Sequence, residues 1–382
     1  MGRLMRLGLF AVALVAILAV GAWVFREPLL SAAGMSFDRG DAGQTAIEVP
    51  DGYEVDVFAS GLERPRFMAV SEEGVLFAAD LGANQVVALP DRDGDGRADE
   101  TIVVGEDYDR AHSVAFSDDG SLLVAGTGTL FRVSLDEGLR EVSREPILTY
   151  PPGGSHMTRT VVVAPDRSLL LSHGSTCNVC WEADEERATV LRADADGGDA
   201  QVYMRGLRNA VGVAIDPRTG EAWVTNNGRD MMGDDIPPET LYRLVDGADA
   251  GWPRCHAGNI VDPDFGDEPD PRTGLVGCDG VVPPAAAFQA HAAPLGITFW
   301  RDHAVIAFHG SWNRSEKVGY EVLWLPWEDG PAGSAEVLAT GFLDADSGDA
   351  SGRPAGVLAG PDDALYISDD KGGFIYRVTA TD

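Results

Sequence analysis

Histidine and arginine side chains stand at matching points of a repeated sequence pattern, where they could move protons and bind anions. His156 follows a glycine-rich loop in PPGGSHMTRT and precedes a strand-like stretch. The ordinary pKa of histidine is close to neutrality, so a histidine at such a loop could act as a general base. Most lone histidines are structural or merely exposed, and the interest of His156 therefore lies in its position.

Arginine recurs at the start of five of the six copies of the pattern, in a strongly acidic chain. These residues are Arg64 and Arg66, Arg110, Arg159, Arg208 and Arg353. The copies give them no obvious acidic neighbours, so convergent guanidinium groups would form a pocket for an anion with planar oxygens. The alternative is that each arginine forms a salt bridge with a carboxylate of an adjacent loop.

The segment DRDGDGRADE (91–100) has the alternating carboxylates of a calcium-binding loop. Its candidate ligands are Asp91, Asp93, Asp95 and Asp99. Gly96 stands at the bend, as in EF-hand-type loops, whereas Ile102 occupies the twelfth position, where glutamate is usual. The segment predicts a structural Ca²⁺ of weak affinity, with a solvated acidic hairpin as the alternative.

A second polar loop, TNNGRDMMGDD (225–235), follows the fourth copy of the pattern. Backbone carbonyl groups are suitable ligands for a hard cation. Those around Gly228 and Arg229 could hold such a cation close to the arginines.

The pattern that carries these residues predicts the fold. Alternating apolar stretches joined by turns such as SDDG and DPRTG are typical of half-buried antiparallel strands. Six copies occur, at 64–80, 110–128, 157–175, 208–228, 291–311 and 352–373. Their spacing, about 46 to 52 residues at first and longer later, suits propeller blades. The sequence therefore predicts an all-β fold, a six-bladed β-propeller over residues 46–382, with six equivalent segments around one channel.

Two further segments complete this architecture. YEVDVFAS (53–60) is predicted to pair beside FIYRV (374–378), which would close the ring and remove exposed sheet edges. The interval between the fourth and fifth copies is about 30 residues longer than one blade and contains a predicted insertion, 251–290. Insertions in repeat folds often shape the binding face.

Charge composition argues against nucleic acid as a partner. The 382 residues include 61 acids and 29 lysines and arginines, which gives a formal net charge of −32. Such a surface repels phosphates, and no basic stripe offsets it.

Residues 1–33 have the features of a targeting segment. Arg3 and Arg6 precede an uncharged run, 7–25, that is long enough for a membrane span. Ser31-Ala32-Ala33 offers a small-residue cleavage site, so a cleaved signal peptide is the alternative to an uncleaved anchor. Either way, we expect an exported protein in the periplasm or another extracytoplasmic space, with the inner membrane as a partner if the segment is retained.

Export would permit disulfides, and the chain has four cysteines. Cys255 and Cys278 bracket a segment rich in Pro, Asp and Gly, and Cys177 and Cys180 form a C-N-V-C run after a strand. A CxxC metal site needs a second ligand pair, which the other two cysteines do not supply at a suitable spacing. The sequence favours two local disulfides, Cys177–Cys180 and Cys255–Cys278.

In these motifs the chain resembles the soluble PQQ-dependent sugar dehydrogenases, the glucose/sorbosone dehydrogenase family. The resemblance covers about 50–380 and rests on a combination of segments. These are SHMTRT, PDRSLLLSHGSTCNVC, GLRNAVGVAIDPRTGEAWVTNNGRD, GADAGWP, HGSWNR and SGRPAGV with PDDALYISDDKGG. A family of this kind implies a six-bladed propeller, PQQ and Ca²⁺.

The resemblance also implies roles for individual residues. His156 matches the family's catalytic base, and Arg208 matches an arginine that binds the cofactor and stabilises charge on the quinone. Further implied cofactor contacts are Asn209 and Arg353. His112, which stands in the equivalent place of the second copy, is a further expected cofactor contact. The backbone oxygens of Gly228 and Arg229 match the ligands of the cofactor-bound Ca²⁺. Two departures favour the sorbosone-type branch: Arg229 replaces a usual proline, and a pocket lysine has no clear match, leaving Arg314 or Lys371 as substitutes.

The implied reaction is oxidation of an aldose or sugar aldehyde by hydride transfer to PQQ, with Ca²⁺ as Lewis acid and His156 as base. Electrons would pass to a membrane quinone or a soluble acceptor. Two other readings stay open. One is a Ca²⁺-dependent lactonase of the SMP-30 type, and the other is a non-catalytic propeller that binds glycan or protein.

Overall fold

The computed structural model describes residues 47–344 and 347–381, and it contains no helix in that part of the chain. Six four-stranded antiparallel sheets, here called blades 1 to 6, confirm the predicted six-bladed propeller. Strand β1 (Tyr53–Ala59) comes first in the chain and belongs to blade 6.

The first three blades follow the chain without interruption. Their strands are β2 (Pro65–Val70), β3 (Leu76–Asp80), β4 (Gln85–Leu89) and β5 (Ile102–Glu106) in blade 1; β6 (Ser113–Phe116), β7 (Leu122–Ala125), β8 (Thr129–Leu135) and β9 (Glu141–Thr149) in blade 2; and β10 (Val161–Val163), β11 (Leu169–His173), β12 (Thr189–Ala193) and β13 (Gln201–Arg205) in blade 3.

The last three blades include one excursion. Blade 4 has β14 (Ala210–Ile215), β15 (Ala222–Asn226), β16 (Glu239–Arg243) and, after the hairpin β17 (Cys255–His256) and β18 (Ile260–Val261), strand β19 (Ala286–Phe288); blade 5 has β20 (Pro294–Trp300), β21 (His303–Phe308), β22 (Glu321–Pro326) and β23 (Glu336–Ala339); blade 6 has β24 (Pro354–Ala359), β25 (Leu365–Asp369), β26 (Phe374–Ala380) and β1.

Pairing of the two ends of the propeller closes the ring. Strand β1 lies antiparallel to β26, with Tyr53 opposite Ala380 and Val57 opposite Tyr376. Blade 6 is therefore built from both termini of the described chain, as the sequence predicted. This arrangement holds the first and last strands together, with β1 as the outer edge strand of blade 6.

Blades pack face to face, with one apolar cluster between each neighbouring pair. All five residues of β3 are buried, whereas β5 alternates between buried and more exposed positions. The alternating copy 64–80 corresponds to β2 and β3, which are more fully buried than the half-buried strands it predicted, because inner strands are covered by a blade on each side.

A small apolar cluster occupies the inner strands of four blades. Phe67, Val211, Leu295 and Ala355 belong to β2, β14, β20 and β24. Each of these strands pairs irregularly with its neighbour at the matching point. Such irregularities change where side chains point, and they recur beside binding sites.

The predicted insertion 251–290 forms the β17–β18 hairpin and a series of turns, but its final residues return to the propeller as β19. The Cys255–Cys278 disulfide closes most of it, and the Cys177–Cys180 disulfide is also present. Fully buried Arg254 donates a hydrogen bond to Asp249 at 2.9 Å, which joins the insertion to the segment before it.

The predicted targeting segment 1–33, with its apolar run 7–25, lies outside the described residues. A helix able to cross a membrane is not found among the residues that the structure describes.

Candidate active site

Loops that lead into the inner strands and out of the second strands surround one pocket of about 290 Å³, here called the central pocket. Five residues predicted for the site line it: His156, Arg208, Asn209, Gly228 and Arg353. Val211 and Leu295, which belong to the small apolar cluster on the inner strands, add an apolar surface. Because four different blades contribute those five predicted and two apolar residues, the propeller does bring equivalent segments to one place.

Hydrogen bonds fix the tautomer of His156. Its Nδ1 lies 2.8 Å from Oγ of Ser175, and the Ser175 hydroxyl donates to the carbonyl oxygen of Cys177 at 2.7 Å. A hydroxyl has a single hydrogen, so Ser175 Oγ must accept from His156, and Nδ1 carries the ring proton. The lone pair is therefore on Nε2, which is the form that a general base needs.

The backbone of Gly174 lies unusually close to His156. A Cβ atom added at Gly174 would lie 2.6 Å from Cβ of His156 and 2.9 Å from its carbonyl oxygen. Only glycine allows this approach, which brings Ser175 within reach of the ring.

His156 is neutral over the physiological range. Burial, and after it the charge of Arg208, lowers the pKa of His156 to about 3. Burial likewise lowers the pKa of His173 to about 2 and that of His112 well below its ordinary value. The folded protein therefore keeps three buried imidazoles uncharged.

We expect these histidines to make the fold sensitive to mild acid. Below about pH 6.5 these histidines bind protons in the unfolded chain but stay unprotonated in the folded protein. The free energy of unfolding therefore falls as the pH drops from 6.5 toward 3. Each histidine contributes a slope of up to about 1.4 kcal/mol per pH unit. Urea unfolding at pH 7.5, 6.5 and 5.5 measures this slope. His173→Gln should reduce the slope by up to the contribution of one histidine, about 1.4 kcal/mol per pH unit. Equal stability at pH 7.5 and 5.5 would contradict the prediction.

Arg208 has an acidic partner, contrary to the sequence-based expectation of arginines without acidic neighbours. Its NH2 group donates to Oδ2 of Asp230 at 2.6 Å, and both side chains are largely buried. Burial alone would raise the pKa of Asp230, but the hydrogen bond from His291 and the Arg208 charge keep it below its ordinary value. Arg208 and Asp230 thus form a buried ion pair in the pocket wall.

Arg66 is a pocket residue that the sequence-based assignment of cofactor contacts left out, and it too is paired. Its guanidinium forms a salt bridge with Asp370, which also accepts a hydrogen bond from Nε2 of His309 at 2.9 Å. His112 lies behind it, with Nε2 3.2 Å from NH2 of Arg66 and Nδ1 2.9 Å from the carbonyl oxygen of Arg159. His112 is fully buried behind Arg66 and does not line the pocket. This differs from the expected contact between His112 and the cofactor.

Arg353 differs from the other two pocket arginines. Its guanidinium donates to the carbonyl oxygens of His309 at 2.9 Å and Gly310 at 2.6 Å, and stands 5.2 Å from the ring centre of Tyr320. In the described part of the chain no carboxylate forms a salt bridge with it. Arg353 therefore presents a positive charge that no carboxylate of the described residues neutralises.

The loop after β15 combines a pocket-lining backbone with acidic support. The amide of Gly228 donates to Oε2 of fully buried Glu239 at 2.7 Å. Burial raises the pKa of Glu239 to about 7, although this bond and one from the Ala293 amide oppose the rise. The side chain of Arg229 turns away from the pocket and forms ion pairs with Asp262 and Asp264 of the insertion.

Two residues proposed as substitutes for the family's pocket lysine are held elsewhere. Arg314 donates to the carbonyl oxygens of Asp234 and Ala290, and Lys371 donates to that of Ala350. Neither lines the central pocket. The pocket lysine thus has no substitute at these two positions.

The acidic loop 91–100 is separate from the central pocket. Carboxylate atoms of Asp91, Asp93 and Asp99 lie within 4.8 Å of one another. Asp95 is not in this group, and its carboxylate accepts the Arg97 amide at 2.9 Å. Three of the four predicted ligands therefore meet, and calcium binding at this loop stays a prediction.

A model of the TrAA12-like family matches residues 47–239 and 267–381. The chain belongs to this family. The unmatched stretch between the two parts contains the β17–β18 hairpin, so the TrAA12-like model does not account for that part of the insertion.

Relatives with described activities agree with the resemblance seen in the sequence, which is confirmed. A pyrroloquinoline quinone-dependent sugar dehydrogenase of Hypocrea jecorina is 26% identical over 313 residues, covering 68% of this chain and 72% of that protein. Two solved structures share the fold. They are the calcium structure of a Trichoderma reesei enzyme of carbohydrate-active family AA12 (TM-score 0.76, 23% identity, 89% of this chain and 99% of that one) and the holo form of the PQQ domain of Coprinopsis cinerea pyranose dehydrogenase (TM-score 0.75, 22% identity, 87% and 97%).

Proposed function

We propose that this protein is a PQQ-dependent sugar dehydrogenase. The observation that carries the proposal is the pairing, in one pocket, of a neutral histidine whose Nε2 lone pair is free with three arginines. A base and a cationic wall are what a reaction needs when it removes a proton and delivers a hydride to an anionic quinone. The named activity of the Hypocrea jecorina relative supports the same reaction.

The residues present fit an anionic cofactor. PQQ carries three carboxylates, and Arg353 offers a guanidinium that forms no salt bridge with a carboxylate in the part of the chain that the structure describes. Asn209 lines the pocket, and its buried Oδ1 lacks a hydrogen-bond partner within the described chain. A buried amide without a full set of partners is costly, and a ligand in the pocket could complete it.

His156, Ser175 and Arg208 would each have a separate role in the reaction. When bound, PQQ supplies the electrophilic quinone that accepts a hydride. His156 would take the proton of the substrate hydroxyl on Nε2, while Ser175 holds the opposite edge of the ring. Arg208, fixed by its ion pair with Asp230, would keep positive charge where negative charge develops on the cofactor.

Calcium fits the loop after β15 chemically. Ca²⁺ prefers oxygen ligands, and this loop places the backbone of Gly228 at the pocket, beside the carboxylates of Asp230 and Glu239. We propose that the carbonyl oxygens of Gly228 and Arg229 bind the ion next to PQQ. The calcium structure of the Trichoderma reesei enzyme supports this part of the proposal.

A reconstitution experiment tests the function. The propeller domain without residues 1–33 is purified and freed of metal. It is then mixed with PQQ and Ca²⁺ and assayed for dye reduction with a panel of aldoses and sugar aldehydes. We expect a thermal shift, a changed PQQ absorption spectrum and sugar-dependent dye reduction. An unchanged spectrum without a thermal shift would reject the proposal, and glycan binding without dye reduction would favour a non-catalytic propeller.

The pocket offers the lactonase alternative the oxygen side chains of Asn209, Asp230 and Glu239, but among the described residues no group of three His, Cys, Asp or Glu side chains comes close enough there to hold one metal ion. The lactonase mechanism needs several side-chain ligands around one central cation. Within the described residues, groups of three His, Cys, Asp or Glu side chains that could hold a metal occur at Cys177, Cys180 and Glu182 and at Asp91, Asp93 and Asp99. Neither group lines the central pocket, and the first contains a disulfide.

We propose that Trp312 contacts the sugar. It lines the pocket, yet 68% of its surface is exposed, which is rare for so large an apolar side chain. An aromatic face at a pocket opening suits the apolar C–H face of a sugar ring. We expect Trp312→Ala to raise KM for the best sugar about tenfold or more with a smaller change in kcat, because the contact serves binding and not proton transfer. Trp181, which is half-buried and does not line the pocket, provides the control variant; an unchanged KM in Trp312→Ala would remove this role.

We also propose that the protein works outside the cytoplasm, delivered or anchored by residues 1–33, and hands electrons to a membrane quinone or a soluble acceptor. The N-terminal sequence and the two disulfides support this location. Fractionation of cells that produce the full chain distinguishes membrane-bound from released protein.

A further inference from the structure

The loop between β11 and β12 contains Asn178, one of the two residues enclosed by the Cys177–Cys180 disulfide. Asn178 does not line the central pocket, but it contacts the groups that do. Its side chain is half-buried. Every one of the five hydrogen bonds described below crosses to another part of the chain, so Asn178 connects segments that are distant in sequence.

Arg208 is bound by both oxygens of Asn178. Nε of Arg208 donates to the backbone carbonyl of Asn178 at 2.9 Å, and NH2 donates to its Oδ1 at 2.9 Å. Two bonds from one planar guanidinium to one residue fix its orientation as well as its position.

The segment that follows β15 is bound by the same side chain. The amide of Asp230 donates to Oδ1 of Asn178 at 2.8 Å, and Nδ2 of Asn178 donates to the carbonyl oxygen of Asp230 at 3.0 Å. This reciprocal pair also fixes which way the amide points, because a flipped amide would set donors against donors. Trp252 completes the arrangement with a bond from Nε1 to the Asn178 carbonyl at 3.2 Å.

The disulfide loop therefore reaches both halves of the proposed cofactor site. Asn178 holds the guanidinium of Arg208 and the chain next to Gly228. Ser175, two residues before the disulfide, holds His156 and donates to the Cys177 carbonyl. A short loop closed by a covalent bond has few alternative conformations, so it can hold Asn178 and Ser175 in the positions that these contacts need.

We infer that Asn178 is a positioning residue for the central pocket and that the Cys177–Cys180 disulfide keeps it in place. The inference rests on the proposed function for its consequence, which is tight PQQ binding. Its structural content, the ordering of Arg208 and of residues 228–230, belongs to the protein without cofactor.

Asn178→Ala is the first test. In the cofactor-free protein we expect the amide of Asp230 to exchange its hydrogen about tenfold faster or more, because it loses its acceptor. PQQ affinity should fall about 10- to 100-fold, since Arg208 loses one of its two bonds to this residue. Asn84→Ala is the matched control: Asn84 also bridges two loops, accepting the Arg110 amide at 2.6 Å, but lies away from the pocket. The control should leave both quantities unchanged.

Removal of the disulfide is the second test. The double variant Cys177→Ser with Cys180→Ser leaves the Cys255–Cys278 disulfide intact and should reproduce the faster exchange at Asp230. Combined with Asn178→Ala, it should add little, because both changes act on the same contacts. Should Asn178→Ala fail to fold, Asn178→Asp keeps the acceptor oxygen, replaces the donor to the Asp230 carbonyl by a second oxygen and adds a negative charge beside Arg208, and an intermediate change in exchange is expected.

Unchanged exchange at Asp230 in the folded Asn178 variants would overturn the inference whether or not PQQ binds. Exchange that responds to Asn178 but not to the cysteine variant would overturn the role of the disulfide. If the wild-type protein does not bind PQQ, the proposed function fails, and the exchange measurement still decides the positioning role.

Discussion

Replacement of His156 by glutamine is expected to lower turnover about 100- to 10,000-fold, the range typical for loss of a general base. Glutamine has no basic nitrogen, so the proton of the substrate hydroxyl would have to pass to water. PQQ should still bind within a few-fold of the wild-type affinity, because the arginines that face the pocket are unchanged. Stopped-flow reduction of bound PQQ by sugar measures the chemical step, and titration of PQQ absorbance measures binding.

Two comparisons make this result specific. His303→Gln removes a histidine that stacks on Trp324 in blade 5 and does not line the pocket, and it should leave the reduction rate unchanged. Ser175→Ala should lower the rate less than His156→Gln, because it frees the ring tautomer but keeps the base. If His156→Gln reduced PQQ at the wild-type rate, another group would have to be the base.

The propeller could be predicted from sequence because its evidence is local. Turn residues and period-two alternation repeat within each blade, and the pairing of β1 with β26 follows from the need to close the ring. Burial of the inner strands on both faces could not be seen in a single strand. It arises only when neighbouring blades pack against each other.

The pocket was predicted in part. His156, Arg208, Asn209 and Arg353 precede the inner strand of their blades and Gly228 follows the second strand of blade 4, so the repeat marks them. The acidic partners were missed, although Asp230 and Asp370 both follow the second strand of a blade and offered a similar positional signal. What the sequence could not show is the pairing itself, since Arg66 and Asp370 are 304 residues apart.

Arg314 and Lys371 show the limit of residue type as evidence. Both are cations in segments that resemble the family's motifs, yet nearby carbonyl groups bind each of them outside the pocket. Side-chain direction depends on loop geometry, which a motif does not specify. Asn178 is the converse case, because nothing in the C-N-V-C run indicates that its amide would contact Arg208.

Arg208→Lys is expected to weaken PQQ binding about 100-fold or more although it preserves the charge. Arg208 uses three nitrogens, binding Asn178 twice and Asp230 once, with a longer contact of 3.4 Å to the Asn227 carbonyl. A lysine ammonium is a single point of charge and cannot span these partners. Loss of the pairing would leave Asp230 buried and poorly compensated, a change that typically costs about 3–5 kcal/mol. Titration of PQQ measures affinity, and urea unfolding without cofactor measures stability.

The two readouts separate the role in binding from the role in folding. Arg243→Lys, which changes an exposed ion pair with Glu221, should alter neither quantity measurably. If Arg208→Lys lost stability but kept PQQ affinity, Arg208 would be a structural partner of Asp230 and the cationic wall would rest on Arg66 and Arg353. Loss of affinity in a variant that remains folded would instead show that the guanidinium geometry itself recognises the cofactor. Because Arg208 is held by Asn178 and Asp230 together, the second outcome is the one that the contacts favour.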